Sequence, residues 1–199
     1  TTIVLSTEKH LFVSVNEKWT KLAPGGETIH AVEAIGDSFF IAGTDGLSKL
    51  SLAKDRLPVL TPGIYGITTP VLAVHHIAIP PRITRVLVLA PEWIGEIREG
   101  KLEKLDVSIK IQISPTQHYY YITEDTNGNI YFGNKFIKYF YNLETQVLTT
   151  TRREQGFTSE GATFVFVDTE NNVWFTDLRG VDKITYHPFR NFYKRDGLL

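Results

Sequence analysis

Glu124-Asp125-Thr126-Asn127-Gly128-Asn129-Ile130-Tyr131-Phe132-Gly133 reappears as Val167-Asp168-Thr169-Glu170-Asn171-Asn172-Val173-Trp174-Phe175-Thr176. Both copies run in the same order through an acidic residue, an Asn/Gly turn, a β-branched residue and a pair of aromatics. Their separation of about 43 residues falls in the range of propeller blades and some other repeats. Apolar and polar residues alternate with period two around each copy, and no stretch of 11 to 18 residues shows the helical period of 3.6. The chain therefore reads as all-β.

Outward from the two copies, each repeat divides into short strands that follow one another as hairpins. The fifth repeat gives Ala162 to Val167, Val173 to Thr176, Val181 to Tyr186 and Asn191 to Lys194. The fourth gives His118 to Thr123, Ile130 to Gly133, Phe136 to Tyr141 and Gln146 to Thr151. The second gives His30 to Ile35, Phe39 to Gly43, Leu47 to Leu52 and Pro58 to Leu60. In the third, Val71 to Ile79, Arg85 to Ala90, Trp93 to Ile97 and Leu102 to Leu105 follow the same plan. Pro80-Pro81 must there lie in a loop, since proline donates no ladder hydrogen bond. The first repeat shows Ile3 to Ser6, Leu11 to Val15 and Trp19 to Leu22, so its innermost strand is expected to be missing. The sum is a β-propeller of about four and three-quarter blades, at 1–28 (incomplete), 29–69, 70–117, 118–161 and 162–199. Arg195 to Leu199 resembles Gln155-Gly156-Phe157, the lead from one blade into the next, and a chain beginning at Thr1 is expected to be excised from a longer one.

The 199 residues are 42% hydrophobic and 22% charged, with a formal net charge of -1, which offers no polybasic surface for nucleic acid and no disordered acidic tail. Absence of cysteine removes disulfides, Cys-ligated zinc and thiol chemistry. No apolar run approaches the roughly 20 residues of a membrane span. The N-terminus also lacks the basic-then-apolar order of a secretory signal.

Asp168 to Phe175, the half-repeat Gly43-Thr44-Asp45-Gly46-Leu47-Ser48-Lys49-Leu50 and the linker Asp196-Gly197-Leu198 resemble the repeat of two-component regulator propellers, the sensor blades of bacterial hybrid histidine kinases. The resemblance is good over 29–52 and 118–199, holds in outline over 1–28 and mainly by spacing over 62–117; Thr176 and Tyr131 depart from the family's glycine and tryptophan. It implies a segment of a seven-bladed propeller in the periplasm or otherwise outside the cytoplasmic membrane. The whole protein would be membrane-anchored, with further blades and a membrane-linked kinase domain. It also implies sensing of a small polar molecule, with an oligosaccharide as one such ligand.

In such a blade the loops entering the innermost strand and those joining the second and third strands open on one face, where propeller ligands commonly sit. That rim carries Asp45, Glu92, Trp93, His118, Asn134, Lys135, Glu160 and Arg179. Each has a plain alternative: a solvated turn charge for Asp45, Glu92, Lys135 and Arg179, and packing between blades for Trp93. Neither a metal nor another cofactor is expected. His75 and His76 point to opposite faces of a strand, and the Asp125 and Asp168 loops lack the bidentate glutamate of a calcium loop. Their acidic and amide groups are expected to build turns on the face away from the rim. No catalytic motif occurs. Two further readings stay open: a propeller enzyme of the lyase or lactonase type, drawing on His30, Glu33, His75, His76, His118 and Glu124 of the inner strands, and a protein-interaction propeller. The unpaired edge of the first blade invites association, including a homodimer, unless another segment covers it.

Overall fold

The structure, a computed structural model, describes residues 2–23, 28–53, 55, 57–77, 85–111, 120–151 and 156–185. Five antiparallel sheets follow one another along the chain. The first holds β1 (Thr2–Ser6), β2 (Leu11–Val15) and β3 (Lys18–Leu22). The second holds β4 (Ile29–Ile35), β5 (Ser38–Gly43), β6 (Gly46–Leu52) and β7 (Pro58–Thr61). The third is built from β8 (Ala73–Ile77), β9 (Arg85–Leu89), β10 (Ile94–Arg98) and β11 (Lys101–Lys104). β12 (Tyr120–Glu124), β13 (Ile130–Asn134), β14 (Ile137–Asn142) and β15 (Val147–Thr150) make the fourth, and β16 (Phe164–Val167), β17 (Val173–Asp177) and β18 (Gly180–Ile184) the fifth. Strands adjacent in sequence are adjacent in each sheet, as short hairpin loops require.

The sheets stack because both of their faces are apolar. Leu87, Leu89 and Ile94 of the third sheet meet Tyr120, Ile122 and Phe132 of the fourth. Val74, Val86 and Val88, on the other face of the third sheet, meet Phe40, Ala42 and Leu47 of the second. Tyr121 and Tyr131 of the fourth sheet pack on Val165, Val173 and Phe175 of the fifth, and Leu11 and Val13 of the first on Ile29, Ile41 and Leu50 of the second. β4, β8, β12 and β16 lie side by side from sheet to sheet as the inner strands.

Four backbone hydrogen bonds fix how each sheet receives the next. Val71 N–H donates to Gly43 O, Ile111 N–H to Pro91 O and Ala162 N–H to Asn134 O, each ending on the last residue of a second strand or just beyond it. Ile29 N–H donates to Glu8 O in the same way, two residues after β1. β1 thus takes the place of β5, β9 and β13, and no described strand pairs with its inner edge. At the two ends of the stack one face stays bare, with Ile3, Leu5 and Trp19 exposed on the first sheet and Phe164, Phe166 and Val181 on the fifth.

The repeated sequence is a hydrogen-bonded turn with an aromatic clamp. Asp125 Oδ1 accepts the N–H groups of Asn127 and Asn129 at 2.9 Å, and Oδ2 accepts Asn129 Nδ2 and the Tyr131 hydroxyl. Asp168 repeats the scheme with the amides of Glu170 and Asn172, Asn172 Nδ2 and the Trp174 indole N–H at 2.7 Å. Each carboxylate so pins a turn and the first aromatic of the strand leaving it. Asn171 Oδ1 then accepts Thr126 N–H at 2.7 Å, joining the two turns across the sheets.

Strand ends differ from the sequence reading for local reasons. β8 begins at Ala73 rather than Val71, because the Val71 N–H is engaged by Gly43. β17 reaches Asp177, which pairs with Gly180 across a two-residue turn. The expected strand Asn191 to Lys194 and the Pro80-Pro81 loop lie outside the described residues.

The Trp174 hydrogen bond, opposed by desolvation and aided by the side chain and amide of Asn172 and the amide of Glu170, lowers the Asp168 carboxyl to about 2. A carboxyl held lower in the folded chain stabilises it above the ordinary carboxylate value and loses that contribution as pH falls toward 2. Asp168→Asn is expected to lower the urea midpoint at pH 7, with the gap to the parent closing as pH falls below about 4; a gap independent of pH would contradict this.

Candidate ligand cleft between the fourth and fifth sheets

The ends of β5 and β13 and the loops after β1 and β9 meet the described residues leading toward β8, β16, β4 and β12, as the four backbone bonds above show, and the β17–β18 turn stands beside the last of these junctions along the chain, between the fourth and fifth sheets. There a cleft of about 850 Å³ lies between the two sheets, lined by Lys135, Phe136, Ser159, Glu160, Asp177 and Arg179 among others.

One wall grows from the β13–β14 turn. Asn134 Oδ1 accepts the N–H groups of Phe136 at 2.8 Å and Ile137 at 3.2 Å, closing the turn and lifting Phe136 into solvent at 63% exposure. Lys135 Nζ sits 4.9 Å from the Phe136 ring centroid. The other wall is the β17–β18 turn, where Asp177 Oδ1 accepts Arg179 N–H at 2.6 Å and Gly180 N–H at 3.0 Å, projecting Leu178 and Arg179 outward. Neither Lys135 nor Arg179 makes an ion pair with a described residue.

The floor is the segment leading into β16. Lys138 of β14, with no exposed surface, donates from Nζ to Asp182 Oδ2 at 2.6 Å and to Ser159 O at 2.8 Å. Asp182 Oδ1 accepts Thr158 N–H at 2.9 Å. Burial works against the charged form of Asp182, but the Lys138 hydrogen bond and the Thr158 amide outweigh it and hold the carboxyl below its ordinary value. Phe157 and Phe175 flank Lys138 Nζ at 4.9 and 5.4 Å. Gly161 lies so close to the backbone of Lys135 and Phe136 that a Cβ there has no room.

The structure brings Lys135, Glu160 and Arg179 of the expected rim together in this cleft. Asn134 stands at its base, buried and committed to the turn. Asp45 is exposed on a separate cleft of about 410 Å³ at the second sheet. Glu92 is exposed, and Trp93 is half-buried against the core of the second and third sheets with Lys104 Nζ 4.7 Å from its ring. His118 lies outside the described residues. Phe136, Ser159, Lys138 and Asp182 were not legible as site residues. The usable signal was a lysine inside the apolar run Ile137 to Tyr141, with an aspartate 44 residues on.

The inner strands line a second hollow of about 570 Å³ on the channel side. There Glu33 Oε1 accepts His76 N–H at 3.1 Å and lies 3.3 Å from His75 Nδ1. Burial opposes the Glu33 charge, but His75 and the His76 amide hold its carboxyl below the ordinary value. Glu124 is bound by Arg85, which also donates to Glu96 at 2.6 Å, and His30 Nδ1 lies 2.8 Å from Val71 O. Among the described residues no three His, Asp or Glu side chains converge to hold a metal ion.

These features define a propeller segment with a polar cleft on its loop face. The chain matches no protein-family model and no curated protein sequence. Among solved structures it is similar to the extracellular domain of the hybrid two-component system BT4673 from B. thetaiotaomicron, with a TM-score of 0.64 and 14% identity, covering 95% of this chain and 26% of that one. The chain thus spans about a quarter of that domain. BBS1N in complex with ARL6DN aligns with a TM-score of 0.50 at 11% identity, over 87% of this chain and 58% of that one. A catalytically inactive virginiamycin B lyase from Staphylococcus aureus with quinupristin aligns at 0.49 and 12%, over 94% and 60%. The chain structurally resembles that extracellular domain of a two-component system, and at these identities the likeness is one of fold.

Gly161→Ala is expected to cost about 1–3 kcal/mol in urea unfolding, because backbone rather than a flexible side chain must move. A cost near zero would mean that the segment entering β16 is not held against the β13–β14 turn.

Proposed function

We propose that this chain is the ligand-sensing part of an extracytoplasmic propeller, and that a small polar ligand, with an oligosaccharide as the favoured class, binds on the face carrying Lys135, Glu160 and Arg179. The observation that supports this most is the cleft itself. It offers two cations without ion pairs among the described residues, a carboxylate and an exposed aromatic ring, contributed by two neighbouring sheets. Sugars are held by this combination of directional polar groups and an apolar ring surface. The likeness to the extracellular domain of a hybrid two-component system supports placing the chain outside the cytoplasmic membrane, in a membrane-anchored protein with further blades and a kinase domain elsewhere.

We infer that the segment is not itself a catalyst. Glu33, Glu124 and His30, which a lyase would draw on, are engaged in bonds between sheets or to the backbone. Thermal-shift screening of the 199-residue chain against neutral and charged oligosaccharides is expected to find a stabilising ligand. Lys135→Ala and Arg179→Ala should each weaken its binding about tenfold, the loss of one charged hydrogen bond. A full panel without stabilisation, or a stoichiometric divalent cation accompanied by turnover, would sink this proposal.

A further inference from the structure

Four strands enter their sheets at the same point, just inside the turn between second and third strands, and their residues there can be compared directly. Leu47 pairs with Ala42, Ile94 with Leu89 and Val181 with Thr176, whereas the fourth sheet pairs Lys138 with Gly133. Leu47 and Ile94, the buried counterparts, are aliphatic, and so is Val181 on the bare face of the fifth sheet, whereas the fourth sheet buries a lysine with no exposed surface. Burying an ammonium costs several kcal/mol before its partners compensate, and an aliphatic side chain of similar volume is often as stable or more so. Packing alone does not account for the lysine.

Its partners differ from those of Arg85, the other buried cation among the described residues. Arg85 donates to the carboxylates of Glu96 and Glu124. Lys138 divides its donors between the Asp182 carboxylate on the fifth sheet and the main-chain carbonyl of Ser159, part of the cleft lining. Asp182 in turn holds Thr158 N–H, and Ser159 Oγ donates to Gly161 O at 2.5 Å. The segment carrying Glu160 is thus held from beneath by the Lys138 ammonium at Ser159 and its partner Asp182 at Thr158, beside the bonds from Thr151 Oγ1 to Glu160 O at 3.2 Å and from Ala162 N–H to Asn134 O.

We propose that Lys138 is a positioning residue for the cleft: its buried ammonium fixes the segment from Thr158 to Gly161 so that Glu160 faces Lys135 and Arg179, and it joins occupation of the cleft to packing of the fifth sheet on the fourth. The inference rests on the ligand cleft proposed above. A ligand bridging Lys135 on one sheet and Arg179 on the other tightens the same interface that Lys138 and Asp182 close, and linkage makes the effect reciprocal.

The absence of native cysteine allows a direct test without any ligand. Nitroxide labels on Lys135→Cys and Glu160→Cys report the width of the cleft by electron paramagnetic resonance. The parent is expected to give one narrow distance distribution, and Lys138→Met to widen it about twofold through local opening of the segment. Phe132→Ala, which empties the core between the third and fourth sheets, serves as the control, compared at a temperature equally far below its own unfolding midpoint; it should leave the distribution narrow. If Lys138→Met does not fold, Asp182→Asn, which removes the charged partner alone, is read in the same way. A distribution unchanged by the substitution at Lys138 or Asp182, or widened equally by Phe132→Ala, overturns the proposal. Because no ligand enters the measurement, a failed oligosaccharide screen leaves this result standing, and a positive screen does not rescue it.

Discussion

A sheet with two apolar faces is stable only between two others, and every larger feature of this chain follows from that constraint. The four-stranded units bury Phe132, Leu87 and Leu47 completely, yet none of them covers these side chains without its neighbour. Apolar packing is indifferent to small sliding movements, so something directional has to set the position of each sheet on the next. The backbone hydrogen bond at each contact does part of this, and charged groups reinforce it at three of the four: Glu33 to the His75-His76 pair, Arg85 to Glu124, and Lys138 to Asp182. The contact between the first and second sheets is lined by Leu11, Val13, Ile29, Ile41 and Leu50 instead. The bare outer faces at both ends follow from the same constraint, since each is one half of such a contact.

The cleft is a by-product of this stacking. Between the fourth and fifth sheets the second-to-third-strand turns stand apart at the rim, and residues 156–163, which lead into the next inner strand, cross the gap. That crossing is low, because Gly161 lets it settle onto the Lys135–Phe136 backbone and Lys138 draws Ser159 downward. The space left above it is open to a ligand, and its walls belong to different sheets. Under the function proposed above, a molecule seated there would read the relative position of two blades as well as their surface chemistry.

Much of the architecture was legible because turns and strands declare themselves locally. Asp125 and Asp168 look like turn residues and act as such, and the Tyr131 and Trp174 that follow them supply the donors that complete the pattern. Rim chemistry was legible in part. Lys135, Glu160 and Arg179 could be placed by counting strands, and packing between blades was the plain alternative for Trp93, which the structure shows against a core, but Asn134 could not be seen to be consumed by its own turn. Lys138 and Asp182 were the least visible, because a charge on a strand is ordinarily read as facing water and their partnership spans a whole repeat. Period-two alternation does not distinguish a face turned to solvent from one turned to another sheet; the aromatics flanking Lys138 on both faces were the sign that water was absent.

A buried charge pair sets the contact between the fourth and fifth sheets. A double-mutant cycle of Lys138→Met and Asp182→Leu, measured by urea unfolding, tests this most directly. Each single change is expected to cost about 3–5 kcal/mol by stranding the other charge, and the double variant to recover most of that loss. Single losses below about 1 kcal/mol that simply add would mean that the pair behaves like a surface ion pair and that packing and uncharged hydrogen bonds position the sheets.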